Sequence, residues 1–480
     1  MSFLLADLLE GSTDTSKLES IRVTGVHADS RALAMGEAFF ALPGFVQHGD
    51  SFAAKAAERG ARVMVTDRRP NVDPGISVVI VEDVRRAFAL AAARTSGPQP
   101  ATMFGITGTN GKTSVASFVR QIWENMGLAS ASIGTLGVQF RDQIEPGTHT
   151  TPDPLSLHRR LAALKADGIN HVIMEASSHG IAQRRIDGIS FDVAGFTNLS
   201  RDHLDYHPTM EDYRDAKLRL FTTLLKESGS AVINADDPEH MPFMFAALER
   251  GATVLTVGRE GAYIEVSTVE QDGWGQKVSG KLVGEPLEFT LPLAGDFQVS
   301  NAIVAAAMVM AAGAHRDNVI PALQMLKGAR GRLERVGTKD GAAIFIDYAH
   351  TPDALEVALK TLKPYASGRL KVVFGAGGDR DTGKRPLMGR IAAEIADDVI
   401  VTDDNPRTED AAAIRREVLS ACAGATEIGD RAEAIKAAVA GLGEGDVLLV
   451  AGKGHEDYQI IGTTKHPFSD HEVVADALRS

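Results

Sequence analysis

The sequence predicts an α/β protein of three domains. The central one is a doubly wound, mainly parallel sheet with a variant phosphate loop, flanked by N-terminal and C-terminal α/β domains. Length, strand spacing and one glycine-rich stretch carry that expectation. The chain has 480 residues, about three times the ~150-residue prior for one domain, so each domain can bury its own core. Short apolar, β-branched runs alternate with helix-length segments along most of the chain, the pattern of strands covered on both faces by helices. GITGTNGKTS, starting at Gly105, follows one such strand and leads into a helix.

In chain order, the first hundred residues set the strands ARVMVTD and ISVVIVED among the helices FAAKAAERG and VRRAFALAAARTS. The Pro-containing, small-polar segment SGPQPAT, residues 96–102, marks a boundary. A second set of strands follows: TMFGIT, HVIMEA, DVAGFTN, AVINAD and ATVLTVG. From Gly261 to Pro292 the runs become short and alternate with glycines, which predicts a small antiparallel meander. The Ala-rich run 302–314 falls short of the ~20 residues that span a bilayer and predicts a buried helix. A basic, Gly-rich stretch at 328–341 makes the second boundary, beyond which AIFIDYA, LKVVFGAGG, DDVIVTDD and DVLLVAGKG are strands. The expected domains are 1–100, 101–330 and 331–480.

Composition excludes several classes. Lys plus Arg is 50 and Asp plus Glu is 63, a net charge of −13 that suits a phosphate backbone poorly, so no nucleic-acid partner is expected. The 44% hydrophobic and 24% charged content excludes a disordered or low-complexity chain. One cysteine, Cys422, excludes an internal disulfide framework and a cysteine-rich zinc site. MSFLLADLLE has no basic region, and Asp7 interrupts its apolar run. Neither a signal peptide nor membrane insertion is expected, and the chain reads as cytoplasmic.

The phosphate loop is the most informative stretch. Glycines at 105, 108 and 111 let backbone amides surround phosphate oxygens, and a helix starting near Lys112 adds the positive end of its dipole. Lys112 can neutralise a β,γ-phosphate pair, and the Thr113 hydroxyl can ligate Mg²⁺. The spacing departs from G-x-x-x-x-G-K-[ST]: five residues separate Gly105 from Gly111, and Ile106 holds the usual first-glycine position. ATP binding is the expected chemistry. Glu175 ends the strand HVIMEA, where open α/β sheets bind ligands, and a carboxylate there suits Mg²⁺.

In this form the loop resembles the one shared by the Mur ligases and folylpolyglutamate synthetases, which join a carboxylate to an amine with ATP. The resemblance to the Mur ligases covers nearly the whole chain. It implies an ATP-binding set of Gly108, Thr109, Asn110, Gly111, Lys112, Thr113 and Ser114. From LPLAGDFQVSNAIVAAAMV it adds Asn301 at the adenine, from GRLERV Arg332 at the phosphates, and from IDYAHTPDAL Asp347 and His350 around the ribose and nucleotide. On physics alone, Ser300 or Asn301 reads as the N-cap of the Ala-rich helix. FTNLSRDHLDYHPTMEDYRDAKLRLF implies His203 as ligand to a second magnesium and Lys217 as a lysine converted by CO₂ to a carbamate. The implied catalytic residues are then Lys112, His203 and Lys217. The implied metal ligands are Thr113, Glu175, His203 and carbamylated Lys217. Without the resemblance, Lys217 reads as an exposed helix lysine.

VTGVHADSRALAMGEAFFALPGFVQHGDSF resembles the uridine-diphosphate domain of the family members that act third in the muramyl-peptide series, implying contacts from Ser30, Gln47 and His48. HTTPDPLSLHRRL implies Thr150 and Thr151, with Ser178 and Arg185, for the UDP-muramoyl-dipeptide, Arg185 suiting a carboxylate. On physics alone the TTPDP turn reads equally as simple helix initiation. GAGGDRDTGKRPLMG could pass for a dinucleotide fingerprint, but Arg380 stands where G-x-G-x-x-G needs its last glycine; the resemblance makes it a contact to the amino acid's carboxylate. Asp404, Asn405, Pro406 and Arg407 match the tetrad of members that select meso-diaminopimelate. Arg407 would pair with the distal carboxylate, while Asp404 and Asn405 accept from its ammonium. Unaided, the tetrad reads as a Pro-containing turn. AGKGHED adds Gly452 and Glu456.

The resemblance thus implies an ATP-dependent ligase that adds meso-2,6-diaminopimelate to the D-glutamyl γ-carboxylate of UDP-N-acetylmuramoyl-L-alanyl-D-glutamate through an acyl phosphate. The setting is cytoplasmic peptidoglycan precursor synthesis, the enzyme a monomer, the cofactor Mg²⁺ and the co-substrate ATP. Three other readings stay open: a lysine-adding relative, a folylpolyglutamate synthetase (which would lack the first domain) and a non-catalytic nucleotide-binding module.

Overall fold

Apolar runs of four to six residues become strands throughout, and the computed structural model describes residues 2–44, 46–70, 75–147 and 149–479. It divides into two units, one of residues 1–265, 282–284 and 303–319, the other of 266–281, 285–302 and 320–480.

The first unit begins with a parallel four-stranded sheet in the order Val26–His27, Ala38–Phe40, Val63–Thr66, Ser77–Ile80. Helix Val84–Ser96 starts at Asp83, whose carboxylate accepts from the Arg86 amide, a cap worth about 1 kcal/mol. Its Phe88 packs on Phe40 with ring centroids 5.3 Å apart.

A larger sheet follows in the same unit. Thr102–Thr107 lies between His171–Glu175 and Phe191–Phe196, parallel to both. Beyond the former come Ser130–Gly134 and the antiparallel strands Gly137–Phe140 and Gln143–Glu145; beyond the latter come Leu225–Asn234 and Thr253–Gly258. Strands are added first on one side of Thr102–Thr107 and then on the other. Its carboxyl end is therefore the switch point at which such sheets bind ligands. Buried Met103, Val172, Phe191, Phe196 and Phe243 belong to the core that fixes this geometry, with Phe196 stacked on Phe243 at 3.9 Å.

The expected meander is present. Ile264–Asp272, Gly275–Leu282 and Glu285–Leu291 are hydrogen-bonded neighbours with two-residue connections, which only antiparallel strands allow. The Ala-rich run is a buried helix, but it starts at Asp296 and ends at Ala311. Asn301 is therefore inside the helix and is not its N-cap, because Asp296 in the first turn complements the dipole and lets the chain become helical before the alanines begin.

The second unit also holds a six-stranded sheet in the order Glu334–Lys339, Ala342–Asp347, Val447–Ala451, Leu370–Phe374, Asp398–Val401, Thr426–Glu427, parallel except for its first pair. Its faces bury Phe345, Leu359, Val372 and Met388 on one side and Ile344, Ile435 and Val450 on the other. Among the described residues no helix is long and apolar enough to cross a membrane.

Candidate active site

In the first unit, residues 108–111 turn from strand Thr102–Thr107 into helix Lys112–Asn125. The turn needs Gly108 at φ +145° and Gly111 at φ +86°, and a Cβ on Gly108 would overlap the Thr197 hydroxyl. Residues that follow the neighbouring strand brace the loop. The Thr109 amide donates to the Asn198 carbonyl at 2.8 Å, the Asn110 amide to Asn198 Oδ1 at 2.9 Å, and Thr197 Oγ1 to the Asn110 carbonyl at 2.6 Å. Lys112 Nζ folds over the cradle, donating to the carbonyls of Gly108 at 2.8 Å and Thr109 at 2.7 Å. Behind it Ser114 is buried.

Thr113 Oγ1 donates to the Glu175 carboxylate at 3.0 Å, and Glu175 also accepts from the Thr135 amide at 2.8 Å. Glu175 is 2% exposed. A hydroxyl and a carboxylate side by side at a strand end are hard oxygen donors that fit Mg²⁺. Among the described residues no three His, Cys, Asp or Glu side chains cluster as a metal site, so the remaining ligands would come from phosphate oxygens or water.

Helix Met210–Arg219 carries Lys217, which is 1% exposed. Its Nζ donates to the Gly108 carbonyl at 2.7 Å and lies 4.4 Å from the centre of the Tyr213 ring. The exposed-lysine reading is therefore overturned, because contacts from another element cover the side chain. Burial, with the Lys112 charge nearby, holds the Lys217 amine well below the ordinary lysine range. Such an amine is available in the neutral form that attacks CO₂, which fits a carbamate. His203 is half exposed, at a left-handed φ of +53°, with its ring centroid 4.8 Å from His179 and 6.1 Å from Tyr213. Tyr213 thus underlies both residues, and its phenol also bonds Thr109 Oγ1 at 3.2 Å. Desolvation pushes that phenol up to about 12.

The stretch at 149–154 sits beside this centre. Thr135 Oγ1 links Glu175 to Thr150 Oγ1, 3.1 Å away, and Thr151 Oγ1 donates to the Glu175 carbonyl at 2.9 Å. Asp153 caps helix Pro154–Ala166, so helix initiation and a binding turn coincide. Arg185 donates to the Thr151 carbonyl at 2.8 Å, and Ser178 Oγ is buried without a hydrogen-bond partner among the described residues. Ser30 is buried and Gln47 exposed. His48 bonds Asp67 at 2.9 Å and accepts from the Asp50 amide.

In the second unit Asp347, His350, Arg380, the Asp404–Arg407 loop, Gly452 and Glu456 lie at or beyond the carboxyl ends of parallel strands, whereas Asn301 lies in helix Asp296–Ala311 and Arg332 precedes strand Glu334–Lys339. Asn301 Nδ2 donates to Gln298 Oε1 at 3.3 Å, and Gln298 donates to the Arg332 carbonyl at 3.3 Å. The Arg332 guanidinium lies 5.0 Å from the centre of the Tyr348 ring. Both Asp347 oxygens accept backbone amides, from Leu333 at 2.6 Å and Ala349 at 2.8 Å, and burial raises its pKa. His350 Nδ1 bonds the Tyr348 carbonyl at 2.8 Å. Arg380 is exposed. Arg407 adopts φ +54° and donates to the Gly378 carbonyl at 2.7 Å. Asp404, Asn405, Pro406 and Gly452 are buried next to Glu456, whose carboxylate accepts from Asn405 Nδ2 at 3.0 Å. The tetrad is a loop, but it is held by strand Tyr458–Ile461 through an isolated bridge from Arg407 to Ile461.

Sequence reasoning missed Thr135, Asn198, Tyr213 and Lys453. Three of them lie inside or directly beside stretches that drew attention, yet none is a ligand type that its motif singles out.

Fold and cradle together define a phosphate-loop α/β protein that binds a nucleoside triphosphate beside a buried carboxylate. Family models match throughout: the Mur ligase family catalytic domain at 22–96, the Mur ligase middle domain at 106–309 and the Mur ligase glutamate ligase domain at 331–454. The UDP-N-acetylmuramoyl-L-alanyl-D-glutamate–2,6-diaminopimelate ligase of Chelativorans sp. (strain BNC1) is 54% identical over 458 residues, 95% of each chain. The protein of that name from Agrobacterium fabrum (strain C58 / ATCC 33970) is 52% identical over 464 residues, 96% of this chain and 94% of its own. A solved structure bearing the same enzyme name superposes with a TM-score of 0.75 at 33% identity, covering 100% of this chain and 99% of that one. The chain belongs to the Mur ligase family, and is accordingly an ATP-dependent, amide-bond-forming ligase.

Proposed function

We propose that the chain adds meso-2,6-diaminopimelate to the D-glutamyl γ-carboxylate of UDP-N-acetylmuramoyl-L-alanyl-D-glutamate, consuming ATP, in peptidoglycan precursor synthesis. Identity above 50% over nearly the full length with ligases of that name carries the reading. A γ-carboxylate oxygen attacks the γ-phosphorus of ATP, the bond to the bridging oxygen breaks, and ADP leaves an acyl phosphate behind. The neutral amine of the diamino acid attacks the acyl carbon. The tetrahedral intermediate expels phosphate, and the nitrogen sheds a proton to give the amide.

The main barrier to the first step is repulsion between two anions. Lys112 and the loop amides supply positive potential where they meet, and Lys112 can exchange its two carbonyl partners for phosphate oxygens. Thr113 and Glu175 would hold one Mg²⁺, and His203 with carbamylated Lys217 a second; Mg²⁺ when bound would screen the phosphate charge. Thr150, Thr151, Ser178 and Arg185 would orient the peptide acid, and Ser30, Gln47 and His48 the uridine end. Asn301, Arg332, Asp347 and His350 would serve the nucleotide. Arg380, Arg407, the Asp404–Pro406 loop, Gly452 and Glu456 would take the incoming amino acid.

The division into a UDP-sugar domain (1–100), an ATP-binding ligase domain (101–330) and an amino-acid domain (331–480) is supported by the limits of the family matches. ATP and a UDP-linked precursor are soluble, so the reading places the enzyme in the cytoplasm, and it takes the monomer that the family resemblance implies. A lysine-adding specificity is disfavoured by Arg407, whose guanidinium has no distal carboxylate to meet on lysine. The test is product analysis with the UDP-muramoyl-dipeptide, ATP and a panel of diamino acids. Product with diaminopimelate supports the reading; equal use of lysine overturns it.

A further inference from the structure

Lys453 is singled out by no motif, yet its ammonium is fully enclosed beside the Asp404–Arg407 loop. It is 0% exposed. Its Nζ donates to Asn405 Oδ1 at 3.0 Å and to the Tyr458 carbonyl at 2.8 Å, and lies 3.7 Å from Asp404 Oδ1 and 3.9 Å from Glu456 Oε2. The Ile460 amide also donates to Asn405 Oδ1, at 2.8 Å.

Both lone pairs of the Asn405 oxygen are thereby taken by groups that can only donate. The amide cannot turn over without setting its NH₂ against an ammonium and a backbone N–H, so its orientation is chemically fixed. Its NH₂ faces Glu456 Oε2, 3.0 Å away. This corrects the expectation that Asn405 accepts a hydrogen bond from the incoming ammonium. Its oxygen is already saturated, and the acceptors left in the cluster are the carboxylates of Asp404 and Glu456.

We infer that Lys453 is a positioning residue of the amino-acid site, locking the Asn405 amide so that it offers donors, and balancing the charge of Asp404 and Glu456 while the site is empty. The inference rests on the reading of this loop as the diaminopimelate site. A lone buried lysine would be costly; one with two carbonyl-type acceptors and two carboxylates around it is held in place. Strand Tyr458–Ile461 completes the brace: Gln459 Nε2 donates to the Asp404 carbonyl at 2.7 Å, and the Arg407 amide donates to the Ile460 carbonyl at 3.1 Å.

The test is steady-state kinetics on full-length enzyme, with KM measured separately for diaminopimelate and ATP, on wild type, Lys453→Met, Asn405→Ala and the double variant. If Lys453 acts through Asn405, each single change raises KM for diaminopimelate about ten-fold or more, the scale of one hydrogen bond to a charged group. The double variant then loses little more than the worse single one, and KM for ATP stays put. Additive losses, or equal rises in both KM values, overturn the inference. Should Lys453→Met fail to fold, Asn405→Asp keeps the buried lysine paired, removes the donor face and sets a second carboxylate against Glu456. It is expected to raise KM for diaminopimelate by a similar factor, and an unchanged KM overturns the inference. A wild type that turns over other amines but ignores diaminopimelate removes the substrate reading itself, and the inference with it. A wild type that uses diaminopimelate while the variants behave additively removes only the role of Lys453.

Discussion

Lys217 donates to the carbonyl oxygen of Gly108 across 2.7 Å, so a buried amine touches the phosphate loop directly. Because burial leaves that amine readily neutral, exposure of the enzyme to ¹³C-bicarbonate is expected to give a carbamate carbon signal. Lys217→Ala is expected to lose the signal together with turnover. A wild-type spectrum without it would contradict the carbamate assignment.

Gly108 sits at φ +145° with the Thr197 hydroxyl where a Cβ would go. Gly108→Ala must therefore strain the backbone and push the brace from Thr197 and Asn198 away. Strain of about 1–3 kcal/mol taken from binding corresponds to roughly a five- to 150-fold loss of ATP affinity. Titration calorimetry with a non-hydrolysable ATP analogue reads it directly. The thermal midpoint should fall by only a few degrees.

Lys112 and Arg407 are expected to fail differently. Lys112→Ala should abolish phosphate release with every amine, since its charge serves the common first step. Arg407→Ala should leave ATP binding intact and raise KM for diaminopimelate by about ten-fold or more, as loss of a charged hydrogen bond does. Equal losses for all amines in both variants would contradict this division.

His158 offers a stability test away from the chemistry. It is buried, its Nε2 bonds the Asp187 carbonyl at 3.1 Å, and desolvation lowers its pKa from 6.5 to about 4. The unfolded chain binds a proton near pH 6.5 that the folded chain refuses until about pH 4. Its contribution is therefore intact above pH 6.5 and is lost as pH falls towards 4, on the order of 3 kcal/mol in all. His158→Gln should flatten the acid limb of the stability profile between those values while lowering stability at neutral pH. A wild type whose stability is level from pH 6.5 to 4 would contradict the buried neutral imidazole.

Legibility in the sequence follows locality. Strand Thr102–Thr107, the glycine turn, and helix Lys112–Asn125 are neighbours in sequence, and their spacing alone encodes a phosphate cradle. Glu175 was readable because a carboxylate ending an apolar strand has a known place in such sheets. Lys217 was not, since the Gly108 carbonyl that meets its amine lies 109 residues away and leaves no mark on the polar pattern of its own helix. Lys453 and the locked amide of Asn405 are hidden for the same reason: they are 48 residues apart. The alanines mark only the interior of the helix that contains Asn301, whereas its start is set five residues earlier by Asp296.

The central claim is that ATP activates a peptide carboxylate by phosphorylating it. The most direct measurement uses UDP-muramoyl-dipeptide labelled with ¹⁸O in the D-glutamyl γ-carboxylate, with mass analysis of the phosphate released when diaminopimelate is added. Transfer of the acid through an acyl phosphate predicts one ¹⁸O atom in each phosphate formed from fully labelled substrate. Unlabelled phosphate accompanying the amide product would contradict the account.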